Sequence, residues 1–248
     1  MLARPKAGRR MMGRWLYPAG HILRILIVLT SYVLTDATAQ QRDCGFQDFA
    51  TAYYLFRDSG AEVVLASPAG GRPPLGPSRE IDSVNVQSVA RFQLDPTARD
   101  DLSDTLRLDQ VHAADFDTAF YPGGLGSLWD LAQDQLSGAL IAAMSAAGKP
   151  TALVAHAPAA LLQVRLKNGD DFVKGRRLTA TSRTEDAKLA NGSPLPLLLE
   201  AELRNHGALY SCGADWSCHV VCDGTLITGQ NTASTADAAR ALLAALQA

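Results

Sequence analysis

Residues 151–158 read Thr151-Ala-Leu-Val-Ala155-His156-Ala157-Pro158, an apolar run that stops at a histidine and meets a proline two residues later. An unbroken apolar run ahead of a turn is what a strand buried on both faces of a parallel sheet requires. Proline is tolerated in the first turn of a helix, where its missing N–H has no intrahelical partner to lose. The stretch therefore predicts a strand passing abruptly into a helix. Such a turn lifts the side chain at its apex towards a helix N-terminus, where N–H groups and the dipole favour an anion. The apex is Ala155, so the turn has the form of a nucleophile elbow without a nucleophile.

On either side the same alternation repeats. Ile25-Leu-Ile-Val-Leu29, Glu62–Ala66 and Thr118–Tyr121 read as further short strands. Phe49–Asp58 reads as a helix closed by Gly60, and Leu128–Ala147 as helical, in one piece or two, closed by Gly148. Asp95–Leu108 reads as one amphipathic helix carrying Leu102 and Leu106. Later come a strand over Arg177–Thr181, a helix over Leu195–Asn205, strands around Cys212 and Val220, and a last helix from Ser234. Strands alternating with helices predict an α/β three-layer, flavodoxin-like sandwich with a mainly parallel sheet. In such sheets the working site lies at the carboxyl ends of the strands, here the loops after Leu29, Tyr121 and Ala155.

Composition narrows the class. The chain has 248 residues, 47% hydrophobic and 19% charged, with a formal net charge of -2. That is the profile of one globular domain with a sizeable core, and it offers no field to attract nucleic acid. The four cysteines Cys44, Cys212, Cys218 and Cys222 are too few and too unevenly spread for a secreted disulfide framework, so a cytoplasmic location is expected. The N-terminus admits a second reading. Arg4, Lys6, Arg9, Arg10 and Arg14 precede an apolar run and then Ala37-Thr38-Ala39, the pattern of a secretory signal peptide ending near Ala39. As a strand, the same run Ile25–Leu29 belongs to the core, and residues 1–21 become a disordered extension ahead of a domain over 22–248.

With these stretches in view, the chain resembles the ThiJ/PfpI superfamily, of class I glutamine amidotransferase-like fold, and within it the heat-shock-protein-31-like branch of glutathione-independent glyoxalases and holdase chaperones. The resemblance runs from about Ile25 to the C-terminus and includes Pro122-Gly123-Gly124, the elbow at 154–158, Gly213-Ala-Asp-Trp216 and Asp223–Asn231. It favours the strand reading of Ile25–Leu29. It also implies that residue 155 is the position of a cysteine whose thiolate attacks an aldehyde such as methylglyoxal, on the way to D-lactate. The histidine that follows the cysteine is His156, and the glutamate that shuttles the proton falls on Asp48. Gly123 and Gly124 match the turn that supplies an oxyanion-binding N–H, the family's histidine in that turn is Leu125, and Glu185 aligns loosely with an acidic cluster after a later strand. A homodimer is likewise implied by the resemblance.

The departures decide the expected chemistry. An alanine methyl forms no covalent adduct. Asp48 is a methylene shorter than glutamate, and a misplacement of about 1 Å can cost about a hundredfold in rate. Three readings stay open: an impaired glyoxalase-like protein keeping a pocket for a small carbonyl or acid, an enzyme using Cys44 or an Asp48-activated water, and a holdase working through its surface. His156 and Asp48 also have ordinary alternatives, a hydrogen-bonded turn histidine and a helix N-cap. Cys218 and Cys222 lack a zinc spacing and read as one strand face packed in the core. No cofactor, metal, nucleic acid or membrane is expected.

Overall fold

The structure, a computed structural model, describes residues 9–11, 14–16, 20–33, 45–74, 86–190 and 192–247. Within the stretch expected as an extension, β1 (Arg9–Met11) and β2 (Arg14–Leu16) pair as an antiparallel ribbon. The main body opens with β3 (Arg24–Val28), α1 (Phe46–Asp58) and β4 (Glu62–Ser67). Two helices, α2 (Val86–Leu94) and α3 (Pro96–Ser103), then lead to β5 (Leu106–Arg107) and β6 (Thr118–Tyr121). Next come α4 (Gln135–Ala146), β7 (Thr151–Val154), β8 (Arg177–Leu178), α5 (Arg183–Ala190) and α6 (Leu199–Asn205). The chain closes with β9 (Leu209–Tyr210), β10 (Val220–Asp223), β11 (Leu226–Gly229) and α7 (Thr235–Gln247).

Seven strands form one sheet in the order β10-β11-β7-β6-β3-β4-β5. All neighbours are parallel except the β10–β11 hairpin at one edge. The run Ile25–Leu29 is therefore central. Its side chains alternate between faces, as a strand must: Ile25, Ile27 and Leu29 join the α1–α7 layer, and Leu26 and Val28 join the layer under α4 and α6. Both faces are covered, which explains a run with no polar position after Arg24. Ala238, Ala239, Leu242 and Leu246 give α7 one buried stripe at helical spacing, and that stripe seals the side on which α1 lies.

Several expectations need correction. Asp95–Leu108 is not one helix. Asp95 caps α3 by accepting from the Ala98 N–H, α3 ends at Ser103, and Leu106 is on the edge strand β5. The helical stretch after Leu128 starts only at Gln135, where Asp134 accepts from the Ser137 N–H as N-cap. Arg177–Leu178 lies outside the main sheet, in a two-stranded ribbon with β9. Cys218 and Cys222 are exposed rather than core, because β10 is an edge strand and Cys218 precedes it. Among the described residues no three His, Cys, Asp or Glu side chains converge to hold a metal, and no helix is long and apolar enough to cross a membrane.

Candidate functional site

The chain switches direction at β3: β4 and β5 are added on one side, β6, β7 and β11 on the other. The crevice at such a switch point is where open α/β sheets bind ligands. Three turns meet there. Gly45 enters α1 with φ 82, and a Cβ on it would stand 1.7 Å from the Gly123 carbonyl oxygen. Only glycine suits both the left-handed backbone and that approach. The Gly123–Gly124 turn follows β6 directly, and the elbow follows β7.

Ala155 has φ 54, one of two described non-glycine residues in the left-handed region. Its backbone is held on both sides. Its N–H donates to Gly229 O at 2.9 Å, and its carbonyl accepts from the Thr181 N–H at 3.1 Å. A left-handed alanine costs on the order of 1–2 kcal/mol, and surroundings that fix it this firmly are the condition for keeping it. The elbow thus keeps the geometry that presents a nucleophile while carrying only a methyl.

Asp48 is not the N-cap of α1 but lies within its first turn, buried. The hydroxyl of Thr235, at the start of α7, donates to its Oδ1 at 2.7 Å. Its Oδ2 lies 2.4 Å from where a Cβ on Gly123 would stand, and the Ala155 methyl lies 2.7 Å from the same point. Carboxylate and methyl therefore flank one glycine, and any side chain at 123 would push between them.

His156 is buried, and its Nε2 pairs with Asp186 Oδ1 at 2.7 Å. Its backbone N–H and that of Gly124 donate to no group among the described residues. Asp186 comes from α5, an element not anticipated in the sequence. Its other oxygen, Oδ2, is buried without a hydrogen-bond partner among the described residues. The carboxylate that orients His156 is thus the neighbour of the expected Glu185.

Glu185 has a different place. Fully buried, it accepts from the N–H groups of Ser182 and Trp216 and from the side-chain amides of Gln230 and Asn231. The Glu185 N–H in turn donates to Ser182 Oγ at 3.2 Å, which makes Ser182-Arg-Thr-Glu185 a reciprocal capping box. That signature was readable in the sequence and would have found α5. Leu125 is buried beside the glycine turn. Cys44 lies outside the described residues, next in sequence to Gly45.

A mainly parallel sheet with an elbow after β7, a glycine turn after β6 and a carboxylate at the start of α1 defines a class I glutamine amidotransferase-like fold of the ThiJ/PfpI type. The DJ-1/PfpI family profile matches residues 45–245, and the chain belongs to that family. Among curated proteins it is similar to glutamine amidotransferase-like class 1 domain-containing protein 1 of Xenopus laevis, 28% identical over 197 residues, covering 79% of this chain and 82% of that one. The Homo sapiens protein of the same name is 29% identical over 164 residues, covering 66% of this chain and 72% of that one. The fold matches Rapid Encystment Protein 24 KDa of Francisella tularensis with TM-score 0.83 at 24% identity, over 91% and 99% of the two chains. It also matches glyoxalase III of Candida albicans with TM-score 0.76 at 22% identity, over 91% and 98%.

Proposed function

We propose that this protein is a glyoxalase III-like member of its family that has lost efficient turnover and keeps a pocket for a small carbonyl or acid ligand. The observation that carries the reading is the left-handed Ala155, whose methyl faces Asp48 across Gly123 while His156 stays oriented by Asp186. The open N–H groups of Gly124 and His156 supply a cradle for a carbonyl or carboxylate oxygen. What is missing is a nucleophile: in nucleophile-dependent enzymes, deleting it leaves on the order of 10³–10⁴ over water from binding and the oxyanion hole.

The test is methylglyoxal consumption with D-lactate formation by the unaltered protein and by Ala155→Cys. The expected result is turnover only in Ala155→Cys, since a thiol placed there joins an elbow already formed. A second reading, an enzyme using Cys44, is favoured by Gly45, which follows Cys44 in sequence and packs against Gly123. Turnover by the unaltered protein that disappears in Cys44→Ala establishes that reading and overturns the first. Turnover surviving in Cys44→Ala but lost in Asp48→Asn assigns the chemistry to an Asp48-activated water. The proposal also takes the protein to be a cytoplasmic homodimer, which sedimentation of the purified chain and cell fractionation test.

A further inference from the structure

A second concavity lies at the opposite edge of the main sheet from β5, with β11 between it and the elbow strand β7. It is a groove of about 690 Å³ between the β8–β9 ribbon and the edge strand β10, lined among others by Arg177, Arg204, Leu209, Tyr210, Val220 and Cys222. Its two guanidinium groups are held in place by the protein. Arg204 lies 4.7 Å from the centroid of the Tyr210 ring, and the Tyr210 hydroxyl is itself anchored on Ala180 O at 2.9 Å. Glu200 accepts from Arg204 Nε at 3.1 Å, leaving both Nη groups without a partner among the described residues. Arg177 gives Nη2 to Cys222 O at 3.3 Å and has no carboxylate within ion-pair reach among the described residues. The nearest acid in sequence to the groove, Asp223, is occupied by the Arg177 backbone N–H at 2.7 Å.

Apolar surface lies beside these charges. Leu209 is 59% exposed, and Val220 and Ala208 add aliphatic wall. A volume of several hundred Å³ that combines an apolar wall with a few fixed polar groups is the usual constitution of a small-ligand site. Positioned guanidinium forks select carboxylates and phosphates over neutral oxygen ligands.

We propose that this groove is a second binding site, separate from the elbow, for a small organic anion whose carboxylate or phosphate is taken by Arg177 and Arg204 and whose apolar body lies on Leu209 and Val220. The exposed thiol of Cys222 lines the same groove and reports on its occupancy. Cys218, exposed as well, is bonded to Asp237 Oδ2 at 3.3 Å, does not line the groove, and serves as the internal control.

The experiment measures maleimide alkylation of Cys222 and Cys218 in the full chain by peptide mass spectrometry, with phenyl phosphate, benzoate, inorganic phosphate or benzyl alcohol as probe. Phenyl phosphate or benzoate is expected to slow Cys222 alkylation at least tenfold at saturation and to leave Cys218 unchanged. Whichever anion acts at lower concentration identifies the headgroup. Inorganic phosphate alone should require more, and benzyl alcohol should not protect. Arg177→Gln and Arg204→Gln, both at exposed side chains, should each raise the protecting concentration about tenfold, the loss of a charge-assisted hydrogen bond. No protection by either organic anion, equal protection of Cys218, or protection indifferent to both arginine substitutions overturns the proposal.

Discussion

Two adjacent carboxylates on α5 are treated in opposite ways. Glu185 accepts from four donors on Ser182, Trp216, Gln230 and Asn231 and ties the loop 213–217 to the end of β11. Asp186 has the ring of His156 on one oxygen and no partner for the other among the described residues. Buried polar groups in proteins are nearly always satisfied, and an exception calls for an explanation. The latch around Glu185 meets the ordinary requirement of a folded core. The pair beside Ala155 does not: one oxygen of its carboxylate is buried without a partner among the described residues.

The largest effect should fall on the latch. Glu185→Ala takes the acceptor from four donors, three of them in buried hydrogen bonds, and each buried loss costs about 1–3 kcal/mol before relaxation. A drop of about 3 kcal/mol or more in urea unfolding is expected. Asp186→Asn, which keeps an oxygen for His156, should change stability by about 1 kcal/mol or less. In an Ala155→Cys background, however, it should lower methylglyoxal turnover by about 10²–10⁴, because a neutral amide no longer stabilises an imidazolium at His156. A larger stability loss in Asp186→Asn than in Glu185→Ala would break the contrast.

Next in size is Gly45→Ala. The added methyl would lie 1.7 Å from the Gly123 carbonyl and must adopt φ 82. Overpacking and left-handed strain together predict a loss of about 2–4 kcal/mol, with the glycine turn displaced. Ala155→Gly should do the reverse on a smaller scale. Releasing the strain at φ 54 offsets the loss of one buried methyl, so the free energy of urea unfolding should stay within about 1 kcal/mol of the parent.

How much of this was readable in the chain differs residue by residue. The elbow is legible because an apolar strand, a histidine and a proline have one economical reading, and the alternating strands at Ile25, Glu62 and Thr118 follow the same logic. Asp48 and the two glycines become legible through resemblance, since nothing local joins positions 48, 123 and 155 in space. Asp186 is invisible to periodicity: α5 is a polar helix of eight residues whose identity rests on its capping box rather than on an apolar stripe. Thr235 and Gly45 are likewise products of tertiary approach. The cysteines at 218 and 222 misled because alternation within a strand says which residues share a face, not whether that face is covered.

A third, half-buried carboxylate sharpens the comparison. Asp130 accepts from Thr30 Oγ1, Ser31 N–H and Leu131 N–H at 2.8, 2.7 and 2.6 Å, so by donor count it belongs with Glu185. Yet burial outweighs these donors and holds its carboxyl above the ordinary 3.8. The folded chain then binds this proton more tightly than the unfolded chain, and stability falls as pH rises from 3.8 through the raised value. Asp130→Asn cannot ionise and lacks that slope, whereas the other titrating groups are common to both proteins. Urea midpoints measured across this window should therefore favour the parent most at its acid end, with the advantage shrinking as pH rises. Should the parent instead gain on Asp130→Asn with rising pH, its three donors outweigh its burial.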